Sequence, residues 1–302
     1  MTSFNINYPS PAAPVMESWP DFLSWRTKVG EWTLNFARPL IMSIINLTPD
    51  SFSDGGRFRR PEEAVEAALV EEAEGADLFD LGAESTRPGS KQVSEAEEWA
   101  RLEPVLTVLA KKTRLPISVD TYKAVVAEKA IAAGAAIIND IYAGRKDPRI
   151  LDVAAGQRVP IILMHMQGNP ETMQIEPHYD DVVTEINNFL LERARAAEVA
   201  GVPRELIWLD PGVGFGKTVE HNLSIIRHFD RIIPRGYRRV MALSRKGFFG
   251  KVLGNLPLLK REVVTAAADA IAVLKGAEII RVHRATPNRE AVDLARAIFL
   301  AP

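Results

Sequence analysis

Two polar loops in the first third of the sequence carry residues suited to bind a metal ion and a phosphate group. The first, INLTPDSFSDGG over residues 45–56, has two Asp, three hydroxyl residues and two adjacent Gly, and the second, GAESTRPGS over residues 82–90, contains Arg87. Carboxylate and hydroxyl oxygens are ligands that hard divalent cations accept, and a guanidinium can bind phosphate through two parallel hydrogen bonds. Either loop alone could be an ordinary surface turn. Because both follow apolar runs that are neighbours along the chain, together they predict a site for an anion and a metal.

Basic residues near the end of the chain supply a second group of candidates for phosphate binding. Lys246 lies in the stretch SRKGFFG, whereas Arg281 and His283 lie in RVH. Side chains two positions apart on a strand point to the same face, so Arg281 and His283 can act together. The neighbouring Arg245 could equally be a solvated surface residue. We therefore expect a basic rim contributed by the last two apolar runs of the sequence.

Three acidic or amide residues, Asp120, Asn139 and Asp210, each follow a strongly apolar tripeptide and are expected to lie deep in the fold. A buried carboxylate without a partner is energetically costly, so these side chains need N–H donors. A flat nitrogen heterocycle with amino and ring N–H groups would satisfy all three. A hydrogen-bond network within the protein is the alternative interpretation.

A repeated pattern of apolar run, polar loop and helical segment must position these residues. The pattern predicts strands over residues 41–46, 77–82, 115–120, 135–140, 160–165, 206–210, 239–244 and 278–283, and helices over 61–75, 95–112, 122–133, 148–156, 180–200, 220–229, 261–275 and 288–299. Near-continuously apolar strands that alternate with helices indicate a parallel sheet covered by helices. Eight such units predict an α/β fold, a single (β/α)8 TIM barrel. A doubly wound open sheet is the alternative, but no Gly-x-Gly-x-x-Gly follows the first strand.

The domain prediction is a short N-terminal extension over residues 1–40, packed on or trailing from a barrel over residues 41–302. Within the extension, DFLSWRTKV (residues 21–29) is expected to be a short helix or strand packed on the main body.

Seven of the eight predicted strands end in a polar or ionisable residue. These residues are Asn46, Asp120, Asn139, His165, Asp210, Ser244 and His283. Any one of them could simply cap a helix or form a turn. Because barrel active sites lie at the C-terminal ends of the strands, the seven together indicate a converging ring of functional side chains.

Composition excludes several classes of protein. The chain has no Cys, which rules out disulfides, thiolate metal sites and a cysteine nucleophile. A formal net charge of -2 over 302 residues gives no basic surface for nucleic acid. No apolar segment approaches the ~20 residues of a membrane span, and the first residues lack the charge and apolar pattern of a secretory signal. We expect a cytoplasmic protein that binds neither nucleic acid nor membrane.

The motifs together resemble dihydropteroate synthase, the family of folate-pathway enzymes that join a dihydropterin diphosphate to p-aminobenzoate. The matching segments occur in the family's order, and the resemblance covers the chain from about Ile41 to Asp293. The segments are INLTPDSFSDGG, DLGAESTRPG, SVDTYK, IINDI, LMHMQGNP, DPGVGFGKT, SRKGFFG and IIRVH. The resemblance implies a TIM barrel, a homodimer, the cofactor Mg2+, and two small-molecule substrates. It also implies a dissociative substitution at the pterin methylene group, in which diphosphate leaves and the aromatic amine attacks.

The resemblance assigns roles to individual positions. The pterin ring would be bound by Asp120, Asn139, Met164, Asp210, Phe215 and Lys246. The diphosphate would be bound by Asn46, Arg87, Arg281 and His283, and Asn46 would also reach the metal. The p-aminobenzoate pocket would be formed by Phe52, Thr86, Pro88, Lys246 and Gly247. The catalytic set would be Asp54, Arg87, Lys246, Arg281 and His283.

Two positions depart from the family pattern. Gly247 stands where many relatives carry a side chain able to contact the p-aminobenzoate carboxylate, although its backbone N–H could serve if it begins a helix. Arg284 stands where Asp is usual. Two other functions are alternatives: a non-catalytic pterin-binding paralogue, and the related methyltransferase domain that passes a methyl group to a corrinoid. The methyltransferase does not use the TPDSFSDGG and STRPG loops, so their presence argues against it.

Overall fold

The computed structural model describes residues 20–48, 60–85, 90 and 92–301. Its first element is an antiparallel hairpin of β1 (Phe22–Arg26) and β2 (Glu31–Asn35). Alternate residues of β1 are buried, and the Trp25 indole N–H donates to the carbonyl of Ala136 at 2.9 Å. The Trp25 ring also meets Trp208 edge-on, with ring centroids 6.5 Å apart. Because Ala136 and Trp208 lie at the starts of their strands, the hairpin covers the N-terminal end of the barrel.

The next eight strands form a closed parallel barrel. They are β3 (Leu40–Asn46), β4 (Leu78–Gly82), β5 (Ile117–Asp120), β6 (Ile137–Asp140), β7 (Ile161–Met164), β8 (Ile207–Asp210), β9 (Arg238–Met241) and β10 (Ile279–Val282). Neighbours in the barrel follow chain order, and β10 pairs with β3 to close it. This closure confirms the predicted TIM barrel and excludes an open sheet. Each strand begins within two residues of its predicted first residue and ends within three residues of its predicted last residue.

The helices that surround the barrel also follow the prediction. They are α1 (Pro61–Ala73), α2 (Glu95–Lys112), α3 (Ala124–Ala132), α4 (Arg149–Gln157), α5 (Val182–Val199), α6 (Val219–Arg227), α7 (Phe229–Ile232), α8 (Gly247–Val252), α9 (Glu262–Leu274) and α10 (Ala285–Leu300). Short 3-10 turns occur at Arg204–Leu206 and Leu258–Lys260. The two short helices α7 and α8 were not predicted. No helix in the described ranges is long and apolar enough to cross a membrane.

Local sequence explains where the longer helices begin. The Ser94 hydroxyl accepts the Glu97 N–H at 3.2 Å and caps α2, and the Asp181 carboxylate accepts the Val183 N–H at 3.0 Å and caps α5. Each cap satisfies one of the backbone donors that a helix start leaves unpaired.

The strands are apolar on both faces because one face fills the barrel and the other packs against the helices. Their register sets a polar layer at the mouth. Asn46 lies opposite Gly82, Gly82 opposite Asp120, and Asp120 opposite Asn139. Three of the predicted strand-end residues, His165, Ser244 and His283, instead follow the last strand residue. They remain tied to the neighbouring strand ends, since the His165 N–H donates to the Asp210 carbonyl at 3.0 Å.

Candidate active site

The deepest part of the site is an ion-pair cluster inside the barrel. The Arg281 guanidinium donates from Nε to Asp80 Oδ2 at 2.6 Å and from Nη2 to Asp120 Oδ2 at 3.0 Å. Asn139 Nδ2 also donates to Asp80 Oδ2, at 3.0 Å, and the Asp80 side chain is fully buried. Asp120 and Asn139, two of the three deep residues, therefore have partners within this cluster, as the alternative of an internal network required. Each keeps acceptor capacity, because a carboxylate and an amide oxygen can accept more than one bond.

Asp210, the third deep residue, is held by the turn that follows β8. Its Oδ1 accepts the Gly212 N–H at 2.7 Å. Burial raises the pKa of the Asp210 carboxyl, while that hydrogen bond and the nearby cations Lys246 and Arg281 oppose the rise. The second carboxylate oxygen remains available to a ligand.

Burial shifts the protonation of two further groups in opposite directions. It raises the pKa of Asp120 to about 8, with repulsion from Asp80 adding to the rise and Arg281 opposing it. It lowers the pKa of Lys246 to about 8, against the attraction of Asp210. The Asp120 carboxyl therefore holds its proton more tightly than an exposed Asp, and the Lys246 ammonium holds its proton less tightly than an exposed Lys.

A cavity at the C-terminal mouth joins most of the predicted pterin residues. It is lined by Asp120, Asn139, Ile141, Met164, Asp210, Phe215, Ala242 and Arg281. Five of the six predicted pterin residues are among these. The sixth, Lys246, lies beside the cavity with its Nζ 4.5 Å from the Phe215 ring centroid.

Asn46, Arg281 and His283, the predicted diphosphate residues that the structure describes, lie at the same end of the barrel. Asn46 is partly buried beside Gly82, because a Cβ built on that glycine would lie 3.7 Å from Asn46 Oδ1 and 3.6 Å from Asp120 Cβ. His283 is tied to the end of β9, since its Nδ1 lies 2.8 Å from the Ser244 hydroxyl.

Five predicted residues lie outside the described part of the chain: Phe52, Asp54, Thr86, Arg87 and Pro88. Among the residues that the structure does describe, no group of three or more His, Asp or Glu could hold a metal alone. The donor that Asn46 presents is an amide oxygen, which suits a Mg2+ ion whose other ligands are phosphate and water.

Comparison with known proteins identifies the family. The family described as pterin-binding enzyme matches residues 42–283. A Bacillus subtilis dihydropteroate synthase is 42% identical over 269 residues, covering 89% of this chain and 88% of the relative. The chain belongs to the dihydropteroate synthase family.

Two solved structures of a family member from Xanthomonas albilineans are similar throughout. The first, dihydropteroate synthase with 4-aminobenzoic acid, has a TM-score of 0.83 and 43% identity, covering 89% of this chain and 96% of that one. The second, in complex with 7,8-dihydropteroate, has a TM-score of 0.80 and 40% identity, covering 89% of this chain and 97% of that one. The dihydropteroate synthase fold therefore extends over most of both chains.

The two departures from the dihydropteroate synthase pattern have clear structural settings. Gly247 begins α8, and a Cβ built on it would meet no described atom within 4 Å. Arg284 precedes α10, and its guanidinium turns away from the mouth towards α1, with Nη2 3.2 Å from Glu74 and Nε 3.4 Å from Glu71. Arg284 thus joins α10 to α1.

Sequence reasoning missed several buried charged residues of this site. Asp80 is central to the cluster, and its signal was a carboxylate within an apolar strand, two residues before Gly82 and so on the same face. Lys217 follows GVGFG, is buried, and donates to the Phe215 carbonyl at 2.8 Å. Lys123 donates to Glu84 at 2.6 Å and to Glu98 at 2.5 Å, which fastens the first residues of the second loop to α2.

Proposed function

We propose that this protein is a dihydropteroate synthase that condenses 6-hydroxymethyl-7,8-dihydropterin diphosphate with p-aminobenzoate to give 7,8-dihydropteroate and diphosphate. The observation that carries the proposal is the cavity at the barrel mouth, which is lined by Asp120, Asn139 and Asp210 together with Met164 and Phe215. Polar acceptors combined with apolar side chains suit a flat nitrogen heterocycle. The similar protein solved with 7,8-dihydropteroate supports a pterin ligand.

The free acceptors of the cavity explain how the pterin ring would be bound. Asp210 has one carboxylate oxygen left after it accepts the Gly212 N–H, and Asn139 has its amide oxygen left because Nδ2 donates to Asp80. Both can accept from the amino and ring N–H groups of a pterin. Lys246 adds a donor and a positive charge beside the Phe215 ring.

The diphosphate would be bound at the basic side of the mouth by Asn46, Arg281 and His283, with Arg87 from the second loop. Arg281 spends Nε and Nη2 on carboxylates, which leaves its other N–H groups for a phosphate oxygen. Asn46 would hold Mg2+ through its amide oxygen, and the ion would there offset the negative charge of the departing diphosphate.

The reaction breaks the C–O bond between the pterin methylene carbon and the diphosphate, which takes the electron pair. A C–N bond then forms from the amine nitrogen of p-aminobenzoate, and that nitrogen loses a proton. Asp120 and Asp210 would stabilise positive charge on the pterin, and Arg281 would stabilise negative charge on the leaving group. Fixed charges of this kind lower the barrier most when water is excluded, a role that we assign to the two loops with Asp54 and Arg87.

The p-aminobenzoate would lie above the pterin, against Lys246 and Gly247, with Phe52, Thr86 and Pro88 from the loops. The start of α8 at Gly247 leaves a backbone N–H for the substrate carboxylate. The similar protein solved with 4-aminobenzoic acid supports this second substrate.

The decisive experiment supplies the purified protein with Mg2+, the pterin diphosphate and p-aminobenzoate. We expect diphosphate release that requires p-aminobenzoate, together with dihydropteroate detected by mass spectrometry. Omitting p-aminobenzoate controls for hydrolysis. Pterin binding without product would instead favour the non-catalytic paralogue and would overturn this proposal.

A homodimer is part of the same proposal. Apolar side chains are exposed on the adjacent helices α9 and α10, including Val263 at 77%, Leu294 at 62% and Ile298 at 64%. Exposed apolar surface of this kind marks interfaces. Light scattering should show that the parent protein is a dimer. Val263→Lys should weaken the dimer, whereas Val199→Lys, a matched change on α5, should leave it intact. A monomeric parent protein would contradict the proposal. We also propose a cytoplasmic location, which fractionation of cells can test.

A further inference from the structure

Lys217 is a buried lysine with three close hydrogen-bonding partners. The residue is 3% exposed, and its Nζ lies 2.9 Å from His165 Nδ1, 2.9 Å from the Gly212 carbonyl and 2.8 Å from the Phe215 carbonyl. Burial lowers the pKa of Lys217 well below its usual value, and the attraction of Asp210 opposes that fall. The three close partners match the three N–H donors of an ammonium group when His165 Nδ1 is unprotonated. Within the described residues, none of the ion pairs involves Lys217.

The acceptors show what Lys217 holds. The carbonyls of Gly212 and Phe215 belong to the turn after β8, and His165 follows β7. The turn approaches β7 so closely that a Cβ built on Gly212 would lie 1.8 Å from the His165 carbonyl oxygen, and Gly212 has a φ of +66°. Lys217 therefore bonds to two carbonyls of the turn after β8 and links this turn to His165, the residue that follows β7.

Two cavity residues depend on the geometry of this turn. Asp210 accepts the Gly212 N–H at 2.7 Å, and Phe215 presents its ring to the cavity and to Lys246. A change in the turn would move both the carboxylate and the ring that flank the proposed pterin site.

Other contacts hold the outer side of the same turn without Lys217. Asn222 Oδ1 accepts the Gly214 N–H at 2.7 Å, and the Tyr179 hydroxyl donates to the Gly216 carbonyl at 2.9 Å. Loss of the Lys217 ammonium should therefore leave the turn in place but relax its inner side, where Phe215 and Asp210 lie. Burial and the adjacent Lys217 lower the pKa of His165 to about 2, so the imidazole is neutral, and in the tautomer with its proton on Nε2 the Nδ1 atom can accept from Lys217.

We propose that Lys217 is a positioning residue for the pterin substrate: its ammonium fixes the turn after β8 so that Asp210 and Phe215 are set for the pterin ring, without touching the substrate. The proposal rests on the proposed function, because it names the pterin as the ligand of that cavity. Lys217, the last residue of the DPGVGFGK segment, would thus neither bind the substrate nor take part in the chemical step.

The first test compares Lys217→Met with the parent protein. We expect the KM and the Kd for the pterin diphosphate to rise at least about tenfold, since binding is lost when a cavity must be reordered. We expect kcat and the KM for p-aminobenzoate to change by less than about threefold, because the chemical groups remain. Lys129→Met, the same change at an exposed position on α3, should alter none of these values.

The absence of cysteine allows a sharper test of the ammonium itself. Lys217→Cys provides the only thiol in the chain, which can be alkylated with 2-bromoethylamine in denaturant before refolding. The thiolate sulfur displaces bromide and gains an aminoethyl group that ends in an ammonium. This product should recover the pterin KM, whereas alkylation with iodoacetamide, which adds a neutral amide, should not. Parent protein taken through the same cycle controls for refolding.

The outcomes separate the inference from the function on which it rests. A parent protein that binds pterin but forms no product overturns the proposed function. A parent protein that turns over, with the pterin KM of Lys217→Met unchanged, overturns the positioning role. If Lys217→Met does not fold, Lys217→Gln and the two alkylated proteins are measured by the same criterion, and equal pterin KM values for the charged and neutral adducts refute the inference.

Discussion

Replacing Asp80 by Asn tests the electrostatics of the cavity with minimal change in shape. Asp80 Oδ2 accepts from Arg281 Nε at 2.6 Å and from Asn139 Nδ2 at 3.0 Å. An amide oxygen can still accept both bonds, but one negative charge leaves the cluster. Repulsion from Asp80 is the second cause, after burial, of the raised pKa of Asp120, so Asp80→Asn should lower that pKa.

The size of the effect on ligand binding can be bounded. Because burial and repulsion from Asp80 raise the pKa of Asp120, a smaller fraction of its carboxyl is ionised near neutral pH than in an exposed Asp. If pterin binding needs the ionised carboxylate, affinity rises with pH up to the pKa of Asp120. Asp80→Asn should shift that midpoint to lower pH, and for each pH unit of the shift the affinity below the midpoint gains at most about tenfold, or ~1.4 kcal/mol.

Stability provides a second measure of the same change. A carboxyl with a raised pKa in the folded state keeps its proton while the unfolded chain loses it, so stability falls as pH rises from about 4 towards the folded pKa. Asp80→Asn should flatten this fall. It also weakens a charge-assisted hydrogen bond of about 1.5–3 kcal/mol, although Arg281 keeps its partner Asp120.

The assay is calorimetric titration of the pterin between pH 5.5 and 9 in matched buffers, together with denaturant unfolding over the same range. Asp77→Asn is the matched control, because Asp77 precedes the same strand and pairs with Arg38 and Arg289 at the other end of the barrel. It should leave the binding midpoint unchanged. Equal midpoints in Asp80→Asn and the parent protein would show that Asp120 does not control pterin affinity.

Three further predictions concern other parts of the protein. Asp269→Ala should stabilise the fold by about 1–3 kcal/mol, because both Asp269 oxygens are buried without a described partner. The gain in stability should grow with pH, since burial raises the pKa of this carboxyl. Denaturant unfolding at two pH values tests this, and a loss of stability would contradict it. Gly212→Ala should abolish pterin binding, because its Cβ would lie 1.8 Å from a backbone oxygen. The control is Gly254→Ala, which has a φ of +69° but no atom within 4 Å of the new Cβ. It should lower the free energy of unfolding by only about 1 kcal/mol and leave pterin binding normal. Arg87→Ala should lower turnover more than pterin affinity and Asp120→Asn the reverse, so similar small effects in steady-state kinetics and calorimetry would refute both roles.

The barrel could be predicted because its signals are local. Strands buried on both faces give short apolar runs, such as Leu40–Asn46, and amphipathic helices with caps give bounds such as Glu95–Lys112. The short helix Gly247–Val252 was missed because six residues carry too little periodic pattern. The hairpin was predicted in part, because residues 21–29 were expected to be a helix or strand. A strand formed there, and its Trp25 donates a hydrogen bond to the Ala136 carbonyl at the base of the barrel.

The missed site residues depend on contacts that no local pattern contains. Asp80 and Arg281 are 201 positions apart, and they meet because β10 closes the barrel beside β3. Lys217 pairs with His165 across 52 positions. The polarity of a side chain could be read from the sequence, but its partner is set by the register between strands.

The charges around the cavity explain why a ligand-free site can be stable and yet receive an anion. The described residues there include two cations, Lys246 and Arg281, and three carboxylates, Asp80, Asp120 and Asp210, while burial lowers the pKa of Lys217 well below its usual value. Burial and repulsion from Asp80 raise the pKa of Asp120, which lessens the negative charge that an incoming anion meets. Lys246 and Arg281 then favour a substrate that carries a diphosphate, since a desolvated site attracts the opposite charge strongly.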